Sequence, residues 1–337
     1  MVGRSETIVR RRDFVRLAGV AATWPLAAHA QQLNNLPRLC FLTFDPGTLQ
    51  SPSPRFEAFF QGLRDLGYID GQTIAIDYLS ADSHGDRFPA LAAECVRLSA
   101  NVIAVTTTPA AKVAKNTTRT IPIVMISLGD PVGAGLVDSL EQPGGNVTGM
   151  SQMVTELAAK RLELLKQGVP SISRVLVLSY LADPIASLQV NALKEAAPSL
   201  GVMLQIQDIR TPDDLPAAFD AGIRQHADAL LTTAESMFFV NGERVSELAA
   251  HYRLPAMYPF SAPVLDAGGL MAYEVDNGDL QTRAAAYVDK ILKGAKPSDL
   301  PVQQPTEFKL FINLKAAKAI GLTIPESFLQ RADQLIE

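Results

Sequence analysis

GDPVGAGLVDSLEQPGGNVTGM, residues 129–150, is the stretch that decides how the chain is read. It follows a short apolar run, residues 121–126, with the composition of a buried parallel strand. Asp130 offers a side-chain cap, and Pro131 suits a first helical position because its missing N–H is not needed there. A short helix through Leu136 and Leu140 is expected. A turn at PGGN, 143–146, and a second short strand at VTGM, 147–150, come next. Beyond it the alternation of strand and helix begins afresh, so one α/β unit hands over to another here.

Working outward, an apolar strand at 38–44 leads through a Pro/Ser/Gly loop to a helix with Phe56, Phe59, Phe60 and Leu63 on one stripe. Strands at 74–78 and 102–105 are followed by helices, the first marked by Leu91, Cys95 and Leu98, the second opened by Thr106, Thr107, Thr108 and Pro109. Past the stretch, strands at 174–179, 203–209, 228–232, 256–258, 269–273 and 308–312 alternate with helical patterns. Such alternation means right-handed βαβ units and parallel sheets. The 337 residues suffice for two ordinary domains, and 47% hydrophobic against 19% charged content lets each half bury a core.

The amino terminus reads as an address. A basic region at 10–16 precedes an apolar segment, 17–26, too short to span a bilayer. Ala28-His29-Ala30 is a small-x-small cleavage site. RRDFVR, 11–16, resembles the twin-arginine export pattern. No Cys follows the site, so the sequence offers no lipid anchor there, and a soluble periplasmic protein is expected. After cleavage 25 basic residues face 33 acidic ones, a net charge of −8 that argues against nucleic acid as a partner. Cys40 and Cys95 have no CxxC spacing and read as core thiols.

Three strand ends feed helices through a short polar cap before proline: Thr108-Pro109, Asp130-Pro131 and Asp183-Pro184. Ligands of open parallel sheets bind beyond the carboxyl ends of the strands, where helix N-termini present free N–H groups. A polar, carboxylate-bearing small molecule is expected there, its anion at Thr107, Thr108 and Pro109. Asp183 and Glu235 are the candidates to pair an ammonium group, and Tyr180, Phe260 and Tyr273 to pack on a side chain. Signals for catalysis are weak. The mature histidines, His84, His226 and His251, lack metal-ligand spacing; there is no nucleophile elbow and no P-loop. Asp138 stands where a dinucleotide fingerprint needs its third glycine. No cofactor or metal is expected.

Several segments together resemble the ABC-transporter substrate-binding proteins of the type I periplasmic fold: DPVGAGLV at 130–137, PGGNVTG at 143–149, FFQGLRDLGY at 59–68, GGLMAY at 268–273, AYVDKILKG at 286–294 and FKLFINLKAAKAIGL at 308–322. The resemblance covers nearly all of the chain after residue 37. It implies an α/β protein of two Rossmann-like lobes joined by three crossovers, with a ligand clamped between them and no catalysis. The expected divisions are an export signal at 1–30, a linker at 31–36, an N-terminal lobe at 37–152 plus 273–298, a C-terminal lobe at 153–272 plus 299–322, and a tail at 323–337. The implied function is delivery of a small carboxylate-bearing molecule, an amino acid among the options, to the membrane subunits of an ABC permease, by a monomer that closes on its ligand. The alternatives are a sensor presenting its closed form to a receptor kinase and a two-lobed enzyme such as a two-thiol racemase. Glu274 follows Tyr273 where the family often has glycine, placing an extra carboxylate near the hinge.

Overall fold

The apolar run Leu39–Leu42 is fully buried in the interior of a sheet, which is where residues of that composition lose the most contact with water. The computed structural model to which this strand belongs describes residues 36–337, so the export signal and nearly all of the linker lie outside the described residues. The chain runs through β1 (Arg38–Thr43), α1 (Glu57–Asp65), β2 (Ala75–Ser80), α2 (Phe88–Arg97), β3 (Val102–Val105), α3 (Thr108–Thr117), β4 (Ile123–Leu128) and β5 (Val147–Ser151). It continues with α4 (Val154–Gly168), β6 (Arg174–Ser179), α5 (Pro184–Ala196), β7 (Met203–Asp208), α6 (Leu215–Arg224), β8 (Ala229–Thr232), α7 (Ser236–Val240), α8 (Gly242–His251), β9 (Ala256–Tyr258), α9 (Ala262–Leu265) and β10 (Met271–Val275). It ends with α10 (Asn277–Leu292), β11 (Phe308–Asn313), α11 (Leu314–Ala319), α12 (Glu326–Leu329) and β12 (Gln334–Ile336).

Two sheets result, a two-lobed α/β architecture of the type I periplasmic kind. The first has the order β2-β1-β3-β4-β5 and is parallel throughout; the second has the order β12-β11-β10-β9-β8-β6-β7, with only the β10–β11 pair antiparallel. Within the second, β7-β6-β8-β9-β10 repeats the winding of the first. In each sheet the strand order reverses direction beside the opening strand, between β1 and β3 and between β6 and β8. The crevice at such a reversal is where a doubly wound sheet takes its ligand. Helices cover both faces. In the first unit, Phe59, Phe60 and Leu63 of α1 and Leu280, Ala284 and Val288 of α10 pack with Phe41 on one side, while Phe88, Cys95 and Ala111 lie on the other. Phe41 meets the ring of Phe60 at 4.9 Å and that of Phe56 edge-on at 5.3 Å. Burying each such side chain contributes about 1.5–3 kcal/mol.

Three expectations change. No helix spans Pro131 to Leu140; the backbone makes successive turns. Gly135 takes φ +70°, outside helical space, and the amides of Leu136 and Val137 both return to the Pro131 carbonyl. The Lys115 ammonium then takes the Gly135 and Leu136 carbonyls at 2.9 and 3.0 Å. Residues 323–337 are not a tail outside the lobe. β12 pairs parallel to β11, its backbone satisfying an otherwise open edge, and Phe328 is buried in the second core. The segment beginning at 299 stays with the first sheet before it reaches β11. Gln303 bridges to Met150, the Val302 amide reaches the Leu140 carbonyl at 2.7 Å, and Val302 joins the first core. Gly149 permits the β4–β5 approach: at φ +133° any Cβ would stand 2.2 Å from the Met125 carbonyl oxygen.

Candidate functional site

The two strand-order reversals face each other across one cavity of about 240 Å³. The first unit contributes Phe44 from the end of β1, Gly85 and Phe88 from the β2–α2 connection, and Thr107 and Pro109 from the start of α3. The second contributes Tyr180, Ala182 and Asp183 after β6, and Glu235, Ser236 and Met237 after β8. Every lining residue thus sits at or beyond the carboxyl end of a strand, with aromatic and aliphatic walls around a few polar groups.

The acidic pair dominates the electrostatics. Asp183 is buried and caps α5, accepting from the Ile185 amide at 3.1 Å, with Pro184 at the first helical position. Glu235 occupies the residue before α7 but does not cap it. Its carboxylate accepts instead from Gln189 Nε2 at 2.7 Å and from the Thr233 hydroxyl, with the Tyr180 amide at 3.5 Å. Gln189, fully buried, is itself fixed by the Ala234 amide donating to its Oε1 at 2.9 Å. Burial pushes Asp183 up to about 7, against the weaker pull of the Lys112 charge. Burial, with the Asp183 charge adding to it, pushes Glu235 up to about 8. No lysine or arginine lines the cavity among the described residues. A cationic group placed between these carboxylates would restore both to the ionised form.

Of the nine residues singled out in the sequence, Thr107, Pro109, Tyr180, Asp183 and Glu235 line the cavity, and Thr108, Asp130, Phe260 and Tyr273 do not. Thr108 is buried in the first turn of α3. Asp130 accepts from the Gly133 amide at 2.8 Å, closing the turn that replaces the expected helix. Phe260 packs edge-on against Phe239 at 5.3 Å. Tyr273 stacks on Phe308 at 6.1 Å, and its carbonyl accepts from Arg161 Nε at 2.8 Å. The α3 N-terminus has fewer free donors than expected. Thr107 Oγ1 already accepts from the Ala110 amide at 3.3 Å, the Ala111 amide turns to the Thr107 carbonyl, and Pro109 has none. Sequence reading passed over Phe44, Gly85, Phe88, Ala182, Ser236 and Met237. The strand-end rule that marked Glu235 also reaches its neighbours Ser236 and Met237, and it reaches Phe44, which looked like one more core residue of β1.

A sequence model of the family described as "ABC transporter substrate binding protein" matches residues 53–336. A curated "Tyrosine-binding protein" of Clostridioides difficile (strain R20291) is 29% identical over 266 residues, covering 79% of this chain and 76% of the relative. Among solved structures, an ABC domain in complex with L-Trp from Streptococcus pneumonia superposes with a TM-score of 0.81 at 26% identity, covering 90% of this chain and 100% of the other. The ligand-free, open structure of a substrate-binding protein with adhesive properties from Clostridium difficile gives a TM-score of 0.62, also at 26% identity, over 89% of this chain and 99% of the other.

Proposed function

The chain belongs to the ABC transporter substrate-binding protein family, and from that premise we propose that it captures an aromatic amino acid, or a molecule of the same charge pattern, between its two lobes for an ABC permease. The observation that carries this reading is the pair of buried carboxylates, Asp183 and Glu235, in a cavity walled by Phe44, Phe88 and Tyr180 that no lysine or arginine among the described residues lines. An unpaired buried charge is costly, and a ligand ammonium is the complement that removes the cost. The aromatic walls suit a ring, which brings large contact area. The ligand carboxylate meets the N-terminal end of α3, where the Thr107 hydroxyl is a donor, with the Ser236 hydroxyl as a second donor from the other lobe's wall of the cavity. The family and the relatives are binding proteins rather than enzymes, and their ligands, tyrosine in one and L-Trp in another, fit this charge pattern. Capture occurs outside the cytoplasm, after cleavage near Ala30.

Native mass spectrometry of the exported protein reads both the chain, expected to begin at Gln31, and any retained ligand. Calorimetry then compares L-tyrosine and L-tryptophan with tyramine, which lacks the carboxylate, and with 3-(4-hydroxyphenyl)propionate, which lacks the ammonium. A charge-assisted hydrogen bond contributes roughly 1.5–3 kcal/mol, so loss of the ammonium should weaken binding by about one to two orders of magnitude. A propionate that binds as tightly as the amino acid, or a retained uncharged sugar, refutes the reading.

A further inference from the structure

Ligand contacts are one way to hold two lobes together. A second lies behind the cavity. Arg55 belongs to a single turn of 3-10 helix, Pro54–Phe56, ahead of α1 in the first lobe. Its Nη1 donates to the Ser236 hydroxyl of the second lobe at 3.0 Å. The guanidinium carbon lies 4.5 Å from the centre of the Phe239 ring and 5.1 Å from that of Phe260, both of the second lobe. On its own side Arg55 has the Phe56 ring at 5.4 Å and the Asp45 carboxylate at 3.5 Å. Its carbonyl accepts from Gln281 Nε2 at 2.7 Å, which fixes the backbone.

The side chain is only 11% exposed, and arginine stays protonated in proteins. Burial pushes the guanidinium down from its ordinary value, and the charges of Asp45 and Glu274 push it back up. Asp45 alone, at 3.5 Å and with Oδ1 lacking a hydrogen bond, compensates poorly for that burial. Two aromatic faces and a hydroxyl complete the compensation, and all three come from the opposite lobe. They are available only when the lobes meet.

We infer that Arg55 is a latch: a first-lobe cation that docks between Phe239 and Phe260 and stabilises the closed form without touching the ligand. The inference rests on the clamp reading above and not on the ligand's identity. A planar guanidinium stacks on rings and reaches a hydroxyl at once, which a lysine ammonium cannot reproduce.

The test introduces spin labels at two exposed positions, one per lobe, through Ala93→Cys and Ala217→Cys; both native cysteines are buried. Electron–electron distance measurements on the ligand-free full chain compare the parent with Arg55→Ala, Arg55→Lys and Phe239→Leu. The parent should show a closed population that shrinks about tenfold in Arg55→Ala and Phe239→Leu, and by less in Arg55→Lys. With L-tyrosine or L-tryptophan as probe, Arg55→Ala should raise koff by about tenfold and leave kon within about twofold. Thermal denaturation identifies any variant that fails to fold, and Phe239→Leu then stands in for it. Distance distributions that coincide for parent and variants overturn the latch. A variant that changes kon and ligand preference with no change in distance makes Arg55 a ligand contact, which overturns it too. If neither probe binds, the ligand reading fails while the ligand-free distances still decide the latch.

Discussion

Glu235 and Asp183 sit where water is scarce, so their charge depends on what lies beside them. Raised from ordinary values of 4.5 and 3.8 to about 8 and about 7, both hold protons in the ligand-free fold at pH values where the unfolded chain has lost them. The stability this lends is full below about pH 4 and disappears as pH rises through 7 to 8, because the fold then carries two unpaired charges. Binding of a cation runs the other way: it needs the carboxylates ionised, so affinity rises over the same window and a proton is released. The other charges that act on the pair do so from outside the cavity lining, Lys112 on Asp183 and Arg161 on Glu235. Glu235→Gln imitates the protonated state. It should flatten the fall in Tm between pH 5 and 8.5, and it should weaken binding about ten- to a hundredfold at pH 8 but only a few-fold at pH 5.5. Calorimetry in buffers of different ionisation enthalpy counts the proton. A parent affinity that does not change across this window would falsify the assignment.

At the scale of elements, backbone conformation decides where the two sheets allow a side chain. Gly149 on β5 combines φ +133° with backbone 2.2 Å from its missing Cβ, whereas Gly71 turns at φ +71° with open space around it. Gly149→Ala should therefore destabilise by about 3 kcal/mol or more, and Gly71→Ala by about 1 kcal/mol. Urea unfolding with an unchanged slope reads the difference, and equal costs would contradict it. The same physics explains what the sequence made legible. Apolar runs such as 102–105 and 174–179 are strands because nothing else buries them so completely, and Asp183-Pro184 starts a helix because cap and proline agree. Asp130-Pro131 carries that same signal and makes no helix. There the tertiary partner Lys115 and the left-handed Gly135 outweigh the cap, and neither can be read from local pattern. The β12 edge strand is only Gln334–Ile336, too short to give a period. At the site, position beyond a strand end found the acids Asp183 and Glu235. It failed for Phe260 and Tyr273, since residue type alone does not say which side of the second sheet an aromatic faces.

Across the whole molecule, the cavity exists because two lobes meet, and one point of close approach begins the stretch that separates them in sequence. Gly129, at the end of β4, packs against α5 of the second lobe so closely that a Cβ would stand 2.6 Å from Ile185 Cγ1 and 2.9 Å from Val154 Cγ2. Gly129 is buried, and the three nearest atoms that its Cβ would meet belong to Ile185 and Val154 of the second lobe. A branched side chain there acts as a wedge between lobes rather than as a defect within one. Overpacking of this kind costs about 1–3 kcal/mol, charged here against closure alone. We predict that Gly129→Val leaves Tm close to that of the parent, weakens the ligand by about ten- to a hundredfold, and abolishes the compaction that small-angle scattering should detect when ligand binds. Ile185→Ala removes two of the three nearest atoms the wedge would meet and leaves Val154 Cγ2. Combined with Gly129→Val it should restore most of the affinity and the compaction, an interaction energy of opposite sign to the single effects. A double variant no better than Gly129→Val would locate the damage inside the first lobe. A ligand-bound parent with an unchanged scattering profile would instead remove closure from the mechanism, leaving a cleft already shut when the ligand arrives.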